Sequence, residues 1–339
     1  MNDNSERIHK EAIIIDGTCP LLSHADSFEM WIRGGATAAC ATVGYGQPEL
    51  GTVAASTQIT HDWLGRIEKN PEKLMLIRTP EDIRRAKAQG RLGIIFHFQG
   101  SCNIGSELGN LETFHGRGLR LMQLCYNVKD LVGCGCTVPE DTGLTDFGRE
   151  VISEMNRLGI VVDCAHTGHR TATDAISVSK TPVIISHANA RTICGNARNL
   201  PDFMIKEIAA NGGVIGLNGY PAFVADKERP TLDDLIDHAV YIADLVGIQA
   251  LSVGVDYFEY QAGVVDDTTA GIVYDYLLKS GTWAPGEYPP PPWYYPEGME
   301  LPDKLPNLTA GLLRRGFSEE EVKGVLGGNL MRVFAQVWA

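Results

Sequence analysis

The chain has 339 residues, 44% of them apolar and 21% charged, as in a globular enzyme with a full core. Its 29 lysines and arginines stand against 42 aspartates and glutamates, a net charge of −13 with no basic run, which argues against nucleic acid or an anionic membrane as partner. The length allows one large α/β barrel or two ordinary domains.

The N-terminal MNDNSERIHKEAIIID is charged, and its first apolar run, Ala12–Ile15, is too short for the core of a secretory signal. No stretch approaches the length that crosses a bilayer, and the C-terminal FAQVWA is not a lipid-anchor signal. The expected location is therefore cytoplasmic, where the eight cysteines would be reduced. Cys134 and Cys136 form CGC, without the spacing of a zinc ribbon or a thioredoxin site, so most cysteines are expected as small core residues.

Eight short apolar runs read as strands: Ala12–Asp16, Ala38–Val43, Leu92–Phe98, Leu119–Cys125, Ile160–Ala165, Val183–His187, Gly213–Asn218 and Leu251–Asp256. Helical patterns separate them. Thr79-Pro80-Glu81-Asp82 places a cap before a proline at the first helical position. Phe147, Val151, Ile152, Met155 and Leu158 share one face of a helix that Gly159 ends, and Leu235, Ile236, Ala239, Val240, Ala243 and Val246 share another that ends at Gly247. Ser318 with Glu321 is a capping box. Alternating β and α units imply a parallel sheet, and eight of them imply an α/β fold of the closed (β/α)8 TIM-barrel type, a single domain over 1–339. One segment breaks the pattern. Residues 281–302 interleave Pro285, Pro289–Pro292, Pro296 and Pro302 with five aromatic residues, so they form neither a helix nor a central strand. As an insertion after the last barrel strand, this segment is a lid over the mouth, a contact with a second subunit, or a stiff packed loop.

The chemistry gathers where strands end. Ile160–Cys164 and Pro182–Ser186 are followed by His166 and His187, with a helix over Thr171–Ser179 between them. That βαβ unit makes the strands parallel neighbours and brings both imidazoles out at their carboxyl ends, where barrels place their active sites. Neutral imidazole is a common ligand for zinc, so two in equivalent places suggest half of a metal site. Gln99, Tyr126 and Asp256 occupy other strand ends, and Arg198 follows in a loop, its guanidinium suited to a carboxylate or to a structural pair with Asp202. His97 shares the interior parity of Gln99 and is read as a deeper ligand, an orienting group for Gln99 or a hydrogen-bonded core histidine. Cys19 would point out of the barrel by the same parity.

These features, together with Asp16-Gly17, SHANARTICGNARNLPD, VGVDYF and the tail LPNLTAGLLRRGFSEEEVKGVLGGNLMRVF, resemble the membrane (renal-type) dipeptidases, peptidase family M19, of the amidohydrolase superfamily. The resemblance implies a barrel with a two-metal centre that hydrolyses dipeptides. It implies His166 and His187 as metal ligands, Arg198 as the cation that binds substrate, Asp256 as the acid/base carboxylate, and a homodimer. Where the family has a first-strand His-x-Asp, this chain reads Thr18-Cys19-Pro20. Where it has a bridging glutamate, this chain has Gln99, and Tyr126 stands for a substrate-facing histidine. Two unit charges about 4 Å apart interact by ~4 kcal/mol at an effective dielectric near ~20, and two dications repel about four times as strongly. With no carboxylate at positions 18, 20 or 99, the expectation is one divalent metal at most, zinc by its ligands. The expected activity is hydrolysis of an amide, peptide-like or lactam bond in a small molecule bearing a carboxylate, with Asp256 and His187 catalytic and Arg198, Tyr126 and Gln99 binding substrate. Two alternatives stay open: a lyase or decarboxylase on the same barrel, and a non-catalytic descendant that binds a ligand or partner.

Overall fold

The apolar runs become strands in the computed structural model, which describes residues 3–47 and 49–338. They are β1 (Ile15–Cys19), β2 (Ala38–Gly44), β3 (Leu74–Leu76), β4 (Leu92–Phe98), β5 (Leu119–Gln123), β6 (Val161–Asp163), β7 (Val183–Ile184), β8 (Ile215–Leu217) and β9 (Leu251–Val253). The pairings are parallel, in the order β7-β6-β5-β4-β2-β1-β9-β8. A parallel bridge between Ile185 and Ile215 joins the two ends of that order, so the path is a (β/α)8 TIM barrel. All eight expected strands are present; the last four are three residues shorter than their apolar runs, and β1 starts three residues later than its run. β3 was not expected. It stands off the barrel path and pairs with Leu92–Ile94, before β5 joins β4 at Phe96. Three residues without alternation leave no period to read.

Strand parity sorts the interior into layers. Ile15, Ala38, Ile95, Leu121, Val161, Ile184 and Val214 form an apolar floor, against which Leu330, Phe334 and Trp338 of the C-terminal helix pack. Above the floor the layer turns polar. His97 Nε2 lies 3.2 Å from Asp163 Oδ2, and Asp163 Oδ1 accepts from the backbone N–H groups of Ala165 and Ser186, both at 2.9 Å. Gly216 and Gly254 are required there, because a Cβ on either would stand 1.9 Å from the Ser186 carbonyl. The helix ends follow their sequence signals. Thr79 and Asp82 cap each other reciprocally, as do Ser318 and Glu321, and Gly159 takes a left-handed φ of 73° after the helix Asp146–Leu158. The crossover helix between β6 and β7 runs over His169–Val178, two residues ahead of its expected start. Asn329, just after the double glycine of the tail, donates to the carbonyls of Ile248 and Leu251 and so ties the last helix to β9. No helix among the described residues is long and apolar enough to cross a membrane.

Candidate active site at the barrel mouth

His166 and His187 emerge just beyond β6 and β7, and their rings meet. Nε2 of one lies 2.8 Å from Nε2 of the other, and both side chains are buried. The remaining nitrogens are held from behind. Asn127 uses its amide N–H groups on the Thr282 carbonyl (2.8 Å) and the Tyr288 hydroxyl (3.0 Å), which leaves Oδ1 to accept from His166 Nδ1 at 2.7 Å. His166 therefore carries its proton on Nδ1 and turns a bare lone pair toward His187. His187 Nδ1 lies 2.7 Å from the Ser186 hydroxyl and 3.2 Å from that of Thr18. Burial, with the Arg198 charge second, holds both imidazoles well below the usual histidine range, so both are neutral.

Asp256 follows β9, its Oδ2 4.0 Å from His187 Nε2 and 3.4 Å from the Asn218 amide. Burial pushes its carboxyl up to about 8, against the opposing pull of Arg198 and Asn218, so it holds a proton at neutral pH. Its carbonyl accepts from the Tyr295 hydroxyl. Asn127, His166 and Asp256 have φ of 59°, 59° and 60°. That left-handed conformation costs on the order of 1–2 kcal/mol per residue, and strain of this kind clusters at functional sites.

Gln99 and Tyr126 line the same narrow cavity, ≈ 30 Å³, as His166 and Asp256. The Tyr126 ring stacks on His166, centroids 4.2 Å apart, and its hydroxyl accepts from Trp283 Nε1 at 3.2 Å. Arg198 is 3% exposed and does not line the cavity. Its Nε donates to the Tyr288 hydroxyl at 3.1 Å, its guanidinium lies over the Phe223 ring, and its Nη2 has no partner. The alternative pairing with Asp202 does not occur, since that carboxylate accepts from Tyr241 and Thr192. His97 is a buried core histidine on Asp163, with no hydrogen bond to Gln99 among the described residues. Cys19 is buried among Leu21, Trp31 and their neighbours on the outer side of β1, and burial raises its thiol far above the range of a reactive thiolate.

Several mouth residues gave no sequence signal. Glu259 lines the cavity at 8% exposure, with Oε2 unpartnered and its carboxyl pushed up to about 7 by burial. Tyr220 presents an unpartnered hydroxyl to the same space. Trp283 and Tyr288, stacked 4.2 Å apart, come from the proline-aromatic insertion, which folds over the mouth with Trp293 and Tyr295 also buried. A larger cleft, ≈ 550 Å³, lies between residues 221–228 and 285–293 but contains none of His166, His187 or Asp256, so the chemistry is assigned to the smaller cavity.

A profile of the membrane dipeptidases, peptidase family M19, matches residues 21–282 and 293–339. The chain belongs to that family. The match omits 283–292, the centre of the insertion that supplies Trp283 and Tyr288, and begins just past the first-strand position. An amidohydrolase from Pseudomonas aeruginosa is 32% identical, covering 98% of this chain and 99% of that one, with a TM-score of 0.88. Two more distant structures share the fold. A probable dipeptidase from the same organism, PvdM, is 18% identical with a TM-score of 0.80, over 99% of this chain and 98% of its own. A metallo peptidase from Rhodobacter sphaeroides, liganded with a phosphinate mimic of the dipeptide L-Ala-D-Ala, is 19% identical with a TM-score of 0.79, over 97% and 100%.

M19 enzymes are generally zinc-dependent, which makes the mouth a candidate place for an ion. Among the described residues no group of three His, Cys, Asp or Glu side chains is gathered closely enough to hold one. Two neutral imidazoles with facing Nε2 atoms are nevertheless two of the three protein donors that a catalytic zinc usually keeps. Near the end of the first strand the Thr18 hydroxyl lies against His187, position 99 carries an amide, and Glu259 faces the same cavity. The imidazole pair is therefore where this mouth would hold an ion.

Proposed function

We propose that this mouth hydrolyses an amide, peptide-like or lactam bond in a small molecule that carries a carboxylate, with one divalent ion at most. The observation that carries the reading is the meeting of two neutral imidazoles beside a carboxyl that burial keeps protonated. His166 and His187 would hold the ion, zinc by ligand type; when bound, it supplies a Lewis acid to polarise the scissile carbonyl or activate water. Asp256 holds a proton at neutral pH next to the reacting position and passes it to the departing nitrogen; the Asn218 amide then steadies the carboxylate. Asn127 fixes the His166 tautomer, and the Ser186 and Thr18 hydroxyls fix the His187 ring. Arg198 keeps Nη2 free for a substrate carboxylate, which reaches it when the Tyr288 side chain turns aside. The altered first-strand and position-99 groups make ordinary dipeptide turnover a poor match and a specialised substrate the better one.

The test is turnover of dipeptides, N-acyl amino acids and lactam acids, with products identified by mass. Asp256→Asn is expected to lower kcat by roughly 10²–10⁴-fold on the substrate found. Release of carbon dioxide without water addition, or an unchanged rate in Asp256→Asn, would overturn the reading.

A further inference from the structure

The cavity at the mouth is smaller than anything the site could act on. At ≈ 30 Å³ it has room for about one or two waters, whereas a pocket that takes an organic ligand measures roughly 300–1,000 Å³. Its ceiling comes from one short segment. Trp283 and Tyr288 turn down into the mouth and are 5% and 2% exposed, while Pro285, Pro289, Pro290 and Pro292 of the same stretch are exposed. The stretch hangs between two fixed points. At one end the Thr282 hydroxyl donates to the Leu277 carbonyl (3.3 Å) and stands 2.7 Å from the Ser280 hydroxyl. At the other the Trp293 carbonyl accepts from the Ala262 N–H at 3.0 Å. These points coincide with the ends of the family match, which stops at 282 and resumes at 293. Among the described residues, no backbone–backbone hydrogen bond ties 284–292 to the rest of the chain. The ties are made by side chains. Trp283 Nε1 donates to the Tyr126 hydroxyl (3.2 Å), Asn196 to the Glu287 carbonyl (2.8 Å), Trp293 Nε1 to the Pro289 carbonyl (2.8 Å) and the Tyr274 hydroxyl to the Tyr288 carbonyl (3.0 Å). The Tyr288 hydroxyl accepts from Arg198 Nε at 3.1 Å and from Asn127 at 3.0 Å. Exposed backbone with few bonds of its own opens locally, at a free energy well below that of global unfolding. There is space for the movement, since the outer side of the segment borders the ≈ 550 Å³ cleft.

We infer that residues 283–292 are a lid, closed in this structure, which lifts to admit a ligand to the mouth, with Tyr288 as its latch. The latch closes on Arg198. A carboxylate bound across Nε and Nη2 of that guanidinium takes the place of the Tyr288 hydroxyl, so its arrival unlatches the lid. Asn127 keeps its other N–H on the Thr282 carbonyl, at the fixed end, so His166 holds the same tautomer whether the lid is up or down. The inference rests on the mouth being the ligand site, but not on which bond is broken there.

The experiment is histidine modification by diethyl pyrocarbonate, located by mass spectrometry, on the full chain dialysed against a chelator so that no ion covers an imidazole. Three histidines grade the answer. His61, its side chain 81% exposed, gives the uncovered rate. His238, buried against Val224 and Ala190, reacts only on unfolding. His166 lies under the lid, its Nδ1 3.5 Å from the Tyr288 hydroxyl. A lid open in about 0.1–10% of molecules makes His166 react roughly 10–1,000-fold more slowly than His61, yet faster than His238. Tyr288→Phe and Trp283→Phe each remove ties of the lid and are expected to speed His166 by about two- to tenfold, with His238 left behind. A His166 rate equal to that of His61 would mean that nothing covers the mouth. A rate no faster than that of His238 would mean that the mouth opens only by unfolding. Either result overturns the lid, as does a His166 rate unchanged in both variants. The wild-type order decides even if a variant fails to fold. No turnover is read, so a chain without hydrolase activity leaves the result valid, and loss of the lid leaves the proposed chemistry standing.

Discussion

On the side of the mouth formed by β6, β7 and β9, two imidazoles and a carboxyl converge, and each is held from behind by Asn127, Ser186, Thr18 or Asn218. On the side formed by β1, β2 and β4, the cavity is lined by Pro20, Tyr45, Gln47 and Gln99, faced by the unpaired Glu259. Under the proposed function the first side would hold an ion and move a proton; the second lines the same cavity with polar and apolar side chains. The contrast teaches that one barrel rim can gather a tightly hydrogen-bonded set of titratable groups on one half and line the other half with loosely held side chains.

That contrast is broken most sharply by removing the reactive half. His187→Ala is expected to abolish turnover and the retention of any divalent ion together, read by product formation and by elemental analysis of the dialysed protein. A surviving rate would mean that the imidazole pair is not the reactive centre. A smaller effect is expected where the insertion joins the two halves. Tyr288→Phe leaves the buried Arg198 Nε and an Asn127 N–H without their shared partner, so stability is expected to fall by ~1–3 kcal/mol in denaturant unfolding. No loss would show that the insertion lies on the mouth without being tied to it.

The smallest effect separates reactive imidazoles from structural ones. His238 is buried and uses both nitrogens, with Nε2–H donating to the Val224 carbonyl (2.8 Å) and Nδ1 accepting from the Ala190 N–H (3.2 Å). Burial lowers its folded pKa below the unfolded value. Below the unfolded pKa of about 6.5 the unfolded chain takes up the proton first, so the stability this residue contributes is present above that pH and lost on acidification. His238→Gln should therefore flatten the fall in stability between about pH 7 and pH 5, by up to ~1.4 kcal/mol per pH unit. An unchanged slope would mean that His238 is not held neutral.

The fold was legible because a barrel's strands are short β-branched runs between capped helices, and because Gly159 and Gly247 end two of those helices where the periodicity stops. The convergence of His166 and His187 was legible for a related reason, since a βαβ unit fixes where two strand ends lie. What parity supplies stops with the strand. It placed His97 and Gln99 on the interior face and Cys19 outside, but could not foresee that Asp163 would occupy His97. Glu259, Asn127 and Tyr288 lie beyond regular backbone, where left-handed residues and a proline-rich path decide direction, and no period carries information there. The acid at Glu259 also qualifies the expectation that the opening lacks carboxylates, because the second half holds one that the strand ends do not reveal.

The central claim is that the altered half of the rim cannot hold an ion beside the one that His166 and His187 take. An anomalous-difference map collected at the absorption edge of the metal found in the purified protein tests this directly. The account predicts a single peak at most, within bonding distance of the two imidazoles, and none beside Gln99 or Thr18. Two peaks bridged next to Gln99, or imidazoles turned away from each other, would contradict it.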